Sequence, residues 1–378
     1  MMSNMTPKER YMETLLFGQP DKIPFSPGGP RESTLRRWRT EGLDADKDWF
    51  AELIREIGIS NFEGVPHASL DVETKMMPMF DEKVLSHENG HYIVRDWMGA
   101  VTEISDEFDY TYIRSARDFV TRKWHSFPVQ DAAGWAAMKP RYNLDTPGRF
   151  GEGFAARCRR ERDGGVVSLT FNGPFWQMRE WCGFEGLCLM MIEQPGFVEE
   201  MSQFWSDWML GVIGRLVEAG AAPDRIRVNE DMAYKAHPMI SPAMTRRFIQ
   251  PAYTRWISAL RQAGTQIFEV DSDGCVDLLI PIWIESGFNV VTPMEVAAHT
   301  DLPALRTIYG NRIAFDGGVD KRCIAAGGQS IVNELARLAP VVKSGGYQPG
   351  CDHGVPHDIS WRNFIAYGKL LAELDGWL

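Results

Sequence analysis

The sequence predicts an α/β fold, namely a TIM-type (β/α)8 barrel with an N-terminal helical extension. From about residue 59 onward, short β-branched runs alternate with longer amphipathic runs, which is the pattern of βα units around a parallel sheet. Polar residues collect where the predicted strands end, as they do in enzymes of this architecture. We therefore predict one domain over 1–378, with the extension at 1–58 and the barrel at 59–378.

The extension is predicted to contain three helices. Thr6, Pro7 and Glu9 combine an N-cap, a proline in the first turn and a glutamate three residues after the cap, which together indicate a helix start. Two further helical patterns cover 31–41 and 49–57, and each stops at a glycine. These helices precede the first predicted strand.

The strands are clearest in the later half of the chain. Five runs spaced by roughly 20 to 40 residues are predicted strands, at 226–229, 265–270, 289–292, 312–315 and 346–348. Upstream, 60–65, 166–171 and part of 92–104 bring the total close to eight. Segment 72–150 is less regular and is interpreted as an excursion beside the barrel.

Composition excludes several function classes. The formal net charge is -11 and no long Lys/Arg run occurs, so a nucleic-acid partner is not expected. No apolar stretch is long enough to cross a membrane, and the N-terminus lacks the apolar core of a signal peptide, so we expect a cytoplasmic protein. The 6 cysteines show no C-x-x-C spacing, which favours reduced thiols.

Acidic and metal-competent residues follow five neighbouring predicted strands. They are Asn229, Glu230 and Asp231; Asp271 and Asp273; Glu295; Asp316; and Asp352 and His353 beside Cys351. Because side chains two apart on a strand share a face, Glu269, Asp271 and Asp273 form a carboxylate stripe. Such crowding requires a metal ion, an arginine or a proton. The alternative is that these acids cap the following helices, as Asp320 and Asp358 are expected to do.

Several blocks of the sequence resemble the uroporphyrinogen decarboxylase superfamily, in order and over essentially the whole chain. They are MTPKERYMETLLFGQPDKIP, GPFWQMREWCGFEGL, NEDMAYKAHPMISPAMTRRFIQPAY, VDSDGCVDLLIPIWIESGFNVVTPMEV and IAFDGGVDK. The resemblance implies a TIM barrel, often a homodimer, with one of two chemistries. These are cofactor-free decarboxylation and zinc-dependent methyl transfer involving a corrinoid.

The methyltransferase branch, similar to coenzyme M methylases and O-demethylases, holds zinc through a His-x-Cys pair and a later cysteine. By motif position, Asp271 and Asp273 replace that pair and Cys351 occupies the last position. The resemblance therefore implies zinc or another divalent metal on these three residues, completed by Glu295 or His353. Carboxylate, imidazole and thiolate are all accepted by zinc.

The leading hypothesis is a metal-dependent methyltransferase that moves a methyl group from a small methoxylated or methylated substrate to a corrinoid. The D-x-H-x-x-G corrinoid signature is absent from the sequence, so the corrinoid is expected on a separate partner protein. Catalytic roles in substrate positioning or proton transfer are predicted for Glu230, Asp231, Asp273, Asp316 and His353. Trp176 and Tyr234 are predicted to wall the substrate pocket.

Two alternatives remain open. In a cofactor-free decarboxylase or lyase, Asp273 or His353 would protonate the carbanion, and Arg31 or Arg37 would pair with the carboxylate. The R-Q-A-G-R loop of that branch is absent, although the His353-Gly-Val turn resembles its late His-Gly-Ile turn. The other alternative is a non-catalytic ligand-binding barrel.

Overall fold

A computed structural model describes residues 5–107, 109–114, 118 and 120–378. The strands are β1 His67–Ser69, β2 Lys83–Glu88, β3 His91–Arg95, β4 Val101–Ser105, β5 Arg122–Ser126, β6 Val166–Asn172, β7 Arg225–Asn229, β8 Ile267–Asp271, β9 Val290–Thr292, β10 Ala314–Val319 and β11 Tyr347–Cys351. The α-helices are α1 Pro7–Leu15, α2 Glu32–Thr40, α3 Trp49–Ile57, α4 Ala132–Met138, α5 Phe154–Arg162, α6 Pro174–Cys182, α7 Phe184–Glu193, α8 Pro195–Glu218, α9 Pro242–Met244, α10 Gln250–Gln262, α11 Ile280–Ser286, α12 Leu302–Tyr309, α13 Lys321–Ala326, α14 Gln329–Lys343 and α15 Trp361–Leu374. The predicted α/β class is confirmed.

The three predicted N-terminal helices are present, and the first begins at the predicted cap. The Thr6 side chain accepts from the Glu9 amide at 3.2 Å, and the Glu9 carboxylate accepts from the Thr6 amide at 2.8 Å. This capping box satisfies two amides that a helix start leaves unpaired. The structure contains no helix long and apolar enough to cross a membrane among the residues it describes.

The main sheet is curled and contains seven parallel strands in the order β1-β6-β7-β8-β9-β10-β11. Along β7, Ile226 and Val228 are fully buried, whereas Arg225, Arg227 and Asn229 alternate with them. The apolar residues therefore face the helices, and the polar residues lie on what we call the inner face. The helices contribute fully buried tryptophans to this layer, and each stabilises the fold by on the order of 2–3 kcal/mol by leaving water; they are Trp181, Trp205, Trp256 and Trp283.

No ladder joins β1 to β11 in the described part of the chain, and residues 24–30 lie beside β11 instead. The Cys351 amide donates to the Pro27 carbonyl at 3.3 Å, and the Val355 amide donates to the Gly29 carbonyl at 2.9 Å. The predicted strand at 60–65 is wrong, because pairing with β6 begins only at His67. Pro66 precedes it, and proline has no amide hydrogen to donate to a ladder.

The predicted excursion is a separate antiparallel sheet of four strands, in the order β2-β3-β4-β5. Its last strand carries Trp124, and Trp124 stacks on Phe127 with ring centroids 5.1 Å apart. Both residues lie opposite α6 and α7 across a surface cavity. The sheet therefore supplies one wall of a groove next to the parallel sheet.

Candidate active site at the carboxyl edge of the parallel sheet

Asp271 ends β8 and lies level with Asn229 of β7 and Thr292 of β9. Burial raises the pKa of its carboxyl to about 7, and the nearby charge of Glu269 adds to this rise. Arg227 opposes the rise, with Nη1 3.6 Å from the Asp271 carboxylate. Near neutral pH this raised pKa makes both the acid and the carboxylate form accessible, so the carboxyl can either donate or accept a proton.

His353 follows β11 and is held on both ring nitrogens. Nε2 lies 3.1 Å from Oδ2 of Asp273, while the Gly354 amide donates to Nδ1 at 2.7 Å. Nη2 of Arg31 also lies 3.2 Å from Nδ1. Two donors on Nδ1 assign it as the acceptor, so Nε2 carries the proton and donates to Asp273. The hydrogen bond to Asp273 raises the pKa of His353, against the opposing effects of burial and Arg31.

Asp231 lies beside this pair because its backbone adopts a left-handed conformation, with φ of 43°. Its Oδ1 accepts from the Asp273 amide at 3.2 Å, and its Oδ2 lies 3.9 Å from Nη2 of Arg179. Burial and the charge of Asp273 raise the pKa of Asp231. A non-glycine residue at positive φ is uncommon, and aspartate is among the side chains that tolerate it best.

Deeper on the inner face, Glu269 pairs with two arginines. Arg225 donates to it through Nη2 and Nε at 2.6 and 2.9 Å, and Arg227 donates through Nε. Burial alone would raise the pKa of Glu269, but these two cations lower it. Asp316 lies near this group, and burial with the charge of Glu269 raises its pKa to about 6. Asp316 therefore belongs to the deeper cluster rather than to the pair formed by Asp273 and His353.

Glu295 takes part in a structural network behind the β8 loop. Its Oε2 accepts from the Gly274 amide at 3.2 Å, and its Oε1 accepts from Lys321 at 3.0 Å. Lys321 also lies 3.4 Å from Asp352, a fully buried carboxylate that accepts from the Val296 amide at 2.9 Å. This network holds the loops after the four strands β8, β9, β10 and β11 against one another.

Glu230 was expected in the site, and the structure places it elsewhere. Its side chain is fully buried behind α6, where it accepts from the Trp176 amide at 3.0 Å and from the Tyr253 hydroxyl. Burial raises its pKa to about 8. A Cβ at Gly173 would collide with this carboxyl, so the glycine makes room for it. Strand alternation gives the reason, since Asn229 and Asp231 face inward and Glu230 must face the helices.

The predicted metal ligands do not form a metal site. Cys351 lies on the opposite face of β11 from Gln348. Gly28 packs against it so closely that a side chain at position 28 would place its Cβ 2.8 Å from the Cβ of Cys351. Burial raises the pKa of its thiol to about 12. Among the described residues, no group of three or more His, Cys, Asp or Glu is arranged to hold a metal ion. The five predicted ligands therefore do not fit the implied metal in this arrangement.

The predicted substrate residues divide into two groups. Trp176 and Tyr234 both line the surface cavity between β5 and α6–α7, whose volume is about 1290 Å³. Arg31 reaches His353, as described above. Arg37 does not reach the site, because it pairs with Glu41 at 2.6 Å and donates to the His357 carbonyl at 2.7 Å. An i,i+4 partner on the same helix keeps it at the surface.

Sequence reasoning missed the cations that balance the carboxylates. Arg225 and Arg227 alternate along β7, and their positions two apart signal a shared face once the strand is recognised. Arg179 lies on α6, where its guanidinium packs 4.7 Å over the Trp176 ring and donates to the Asp231 carbonyl at 3.1 Å. No local pattern indicates that contact, because it depends on how α6 packs against the loop after β7.

No protein-family model matches this sequence, and no curated protein matches it. Among solved structures, a methyltransferase from Methanosarcina mazei is similar with a TM-score of 0.57 and 14% identity, covering 98% of this chain and 99% of that one. A B12-independent methionine synthase from a Shewanella species gives a TM-score of 0.38 and 11% identity, over 59% of this chain and 65% of that one. The first likeness shows a shared fold, and the second is too low to support any argument.

Proposed function

We propose that this chain is a (β/α)8-barrel enzyme that transfers a methyl group from a small methoxylated or methylated compound to a separate acceptor. Residues 24–30 would occupy the eighth barrel position, beside β11. The sequence resemblance indicates a corrinoid on a partner protein as the acceptor. The observation that carries the proposal is the position of Asp271, a half-buried carboxyl at the carboxyl edge of the sheet, level with Asn229 and Thr292 and 3.6 Å from Arg227. The full-length fold likeness to a methyltransferase agrees with it.

Demethylation of a methoxyl group requires a proton for the departing oxygen. The acceptor donates an electron pair to the methyl carbon, the bond from that carbon to oxygen breaks, and the bonding pair stays on the oxygen. Asp271 then donates its proton to that oxygen and is reprotonated from solvent. Asp273, fixed by His353, accepts a hydrogen bond from the substrate or its water and keeps the leaving group beside Asp271.

The proposal assigns no step to zinc. Asp271 faces Arg227, Asp273 accepts from His353, and Glu295 is paired with Lys321. Cations and hydrogen-bond donors therefore already balance the carboxylates that the resemblance would give to a metal.

A second candidate is a cofactor-free carboxy-lyase, which the contact between Arg31 and His353 favours. A guanidinium at 3.2 Å from the imidazole would lie where it can pair with a substrate carboxylate. The bond to the carboxyl carbon breaks, carbon dioxide leaves, and the electron pair on the remaining carbon takes a proton from Asp271 or His353. Arg37 has no part in this version.

One experiment separates the candidates. The protein is incubated with a panel of methoxylated and methylated aromatic compounds and reduced free corrinoid as acceptor. Methylcorrinoid is followed by absorbance, demethylated product by mass spectrometry, and carbon dioxide in a parallel sample. We expect methylcorrinoid formation with wild type and with the exposed-site control Asp163→Asn, and its loss in Asp271→Asn. Carbon dioxide release without methyl transfer would support the carboxy-lyase. If neither methylcorrinoid nor carbon dioxide forms, the remaining alternative is a non-catalytic ligand-binding barrel.

A further inference from the structure

The groove between β5 and α6–α7 contains an arginine whose Nη1 atom has no hydrogen-bond partner among the described residues. The guanidinium of Arg122 lines this cavity, and its Nη1 is buried without a hydrogen bond to any residue that the structure describes. The guanidinium packs 4.7 Å over the ring of Trp124. Removing a cation from water without pairing it costs free energy, so an anion bound beside it would be stabilised.

The walls of the groove are aromatic and apolar. On one side, Trp124 is 40% exposed and stacks on Phe127. On the other side, Phe184 and Leu189 of α7 are 45% and 52% exposed. Large exposed apolar side chains that face one another across a cavity indicate a binding surface for rings.

The size of the groove excludes a single small ring as its full occupant. Its volume of about 1290 Å³ exceeds the roughly 300–1,000 Å³ of typical ligand pockets. The other cationic or titratable donors along it are engaged: His125 pairs with Glu103 at 3.0 Å, and Arg179 donates to the Asp231 carbonyl at 3.1 Å. Nη1 of Arg122 has no described hydrogen bond that an anionic ligand would have to displace, and the charges of Asp96 and Glu180 act on Arg122 only from beyond ion-pair distance.

We propose that this groove binds an aromatic acid of two or more rings, with its acid group at Arg122 and its rings between Trp124 and α7. The groove extends to Trp176 and Tyr234, next to the loop that carries Asp231. That the bound acid is the methyl-bearing substrate rests on the proposed function. Binding itself does not depend on turnover.

The test uses two fluorescent probes that share a ring system and differ in charge, anilinonaphthalene sulfonate and uncharged phenylnaphthylamine. Each is titrated into wild type, Arg122→Gln, Arg122→Lys and the control Arg160→Gln, whose exposed side chain pairs with Glu161 on α5. We expect Arg122→Gln to weaken the sulfonate about tenfold and the uncharged probe less than about twofold, as loss of one charge-assisted bond predicts. Arg122→Lys should fall between wild type and Arg122→Gln, and Arg160→Gln should match wild type.

Three further measurements complete the test. Trp124→Ala should weaken both probes, and naphthoate should displace the sulfonate from wild type. Melting temperatures should be unchanged in Arg122→Gln, because Nη1 has no described hydrogen bond to lose and the cost of burying the charge outweighs its attraction to Asp96 and Glu180. Equal loss of both probes, or a fall in melting temperature with that loss, would assign Arg122 to the fold and overturn the proposal. If Arg122→Gln weakens only the charged probe but no methyl transfer is found, the groove proposal stands and only the proposed methyltransferase function is contradicted.

Discussion

Arg31 and His353 are 322 positions apart in the sequence, and Nη2 of Arg31 lies 3.2 Å from Nδ1 of the His353 ring. The contact exists because residues 24–30 lie along β11 and end at Arg31, where the Arg31 amide donates to the Val355 carbonyl at 3.2 Å. With the Gly354 amide on the same nitrogen, it sets the tautomer of the neutral ring, whose Nε2 proton points to Asp273. The extension therefore orients a site residue as well as packing against the sheet.

The first prediction concerns the pKa of His353. Asp273→Asn removes the acceptor charge that raises this pKa, so we expect it to fall. The measurement is an NMR titration of the imidazole resonances, with the His353 signal assigned by its absence in His353→Asn. Unchanged titration in Asp273→Asn would contradict the hydrogen bond.

The same pair has a pH-dependent effect on stability. Because the folded pKa of His353 is raised, the contribution is fully present below the unfolded value of about 6.5 and is lost as pH rises through the folded pKa. The two side chains are 31% and 39% exposed, so solvent screening limits the effect to less than about 1 kcal/mol. Urea unfolding of wild type and Asp273→Asn should therefore differ most at acidic pH.

The second prediction concerns Asp271 as the proton donor. Its pKa of about 7 means that the acid form declines as pH rises, so the methyl-transfer rate should fall above that pH. Asp271→Asn should lower kcat by about 10²–10⁴-fold, the usual contribution of a positioned acid. Stopped-flow rates across pH test this, with Asp163→Asn as the control. If the methyl-transfer rate of Asp271→Asn still falls above the same pH as in wild type, the fall is due to another group.

Much of the fold could be predicted from the sequence, because the patterns that specify it are local. The alternation in β7 and β8 and the capping box at Thr6 depend on neighbouring residues only. The prediction of a strand at 60–65 was wrong because an extended segment without a paired neighbour has the same sequence pattern as a strand. No strand was predicted for the segment beside β11, because residues 24–30 contain three prolines and two glycines, which are rare inside strands.

The site could be predicted only in part. Residue type and strand position placed Asp271, Asp273 and His353 at one edge of the sheet, and two of them are hydrogen-bonded. Glu230 was misplaced because the strand phase, which sends neighbouring side chains to opposite faces, was not applied beyond the strand end. Cys351 was misplaced for the same reason, because the motif gives its position in the chain but not the face of β11 to which its side chain points.

The third prediction concerns Glu230, whose carboxyl is buried with a raised pKa of about 8. Glu230→Gln should fold normally, because a neutral amide replaces a largely protonated acid. Glu230→Ala should lower the free energy of unfolding by about 2–4 kcal/mol through lost hydrogen bonds and a cavity. Chemical denaturation at pH 6 or so measures both variants.

The sign of the pH dependence separates Glu230 from an ordinary surface acid. A raised folded pKa means that the native state binds the proton more tightly, so stability falls as pH rises from the unfolded value of about 4.3 toward the folded one. Glu230→Gln should lose that part of the slope. Identical slopes in wild type and Glu230→Gln would show that the carboxyl is charged in the folded protein.

The fourth prediction concerns Cys351 and metal. Because its thiol faces the helices, Cys351→Ala should not change the metal content of the purified protein. The matched control is Cys182→Ala, which removes another buried thiol from α6. Both should cost about 1–2 kcal/mol in the free energy of unfolding. Elemental analysis decides the question, since stoichiometric zinc lost only in Cys351→Ala would make this thiol a ligand.

The last prediction concerns the deeper cluster on the inner face. Glu269 is fully buried and offsets the charges of Arg225 and Arg227, so Glu269→Gln leaves two guanidinium groups without their shared anion. Removing one partner of a buried ion pair typically costs about 3–5 kcal/mol, and we expect a loss of that order in urea unfolding. The exposed control Glu218→Gln should stay within about 0.5 kcal/mol of wild type. The pKa of Asp316 should also fall, because the Glu269 charge that raises it is gone. A loss below about 1 kcal/mol in Glu269→Gln would mean that Asp271 and Asp316 can neutralise both arginines without Glu269.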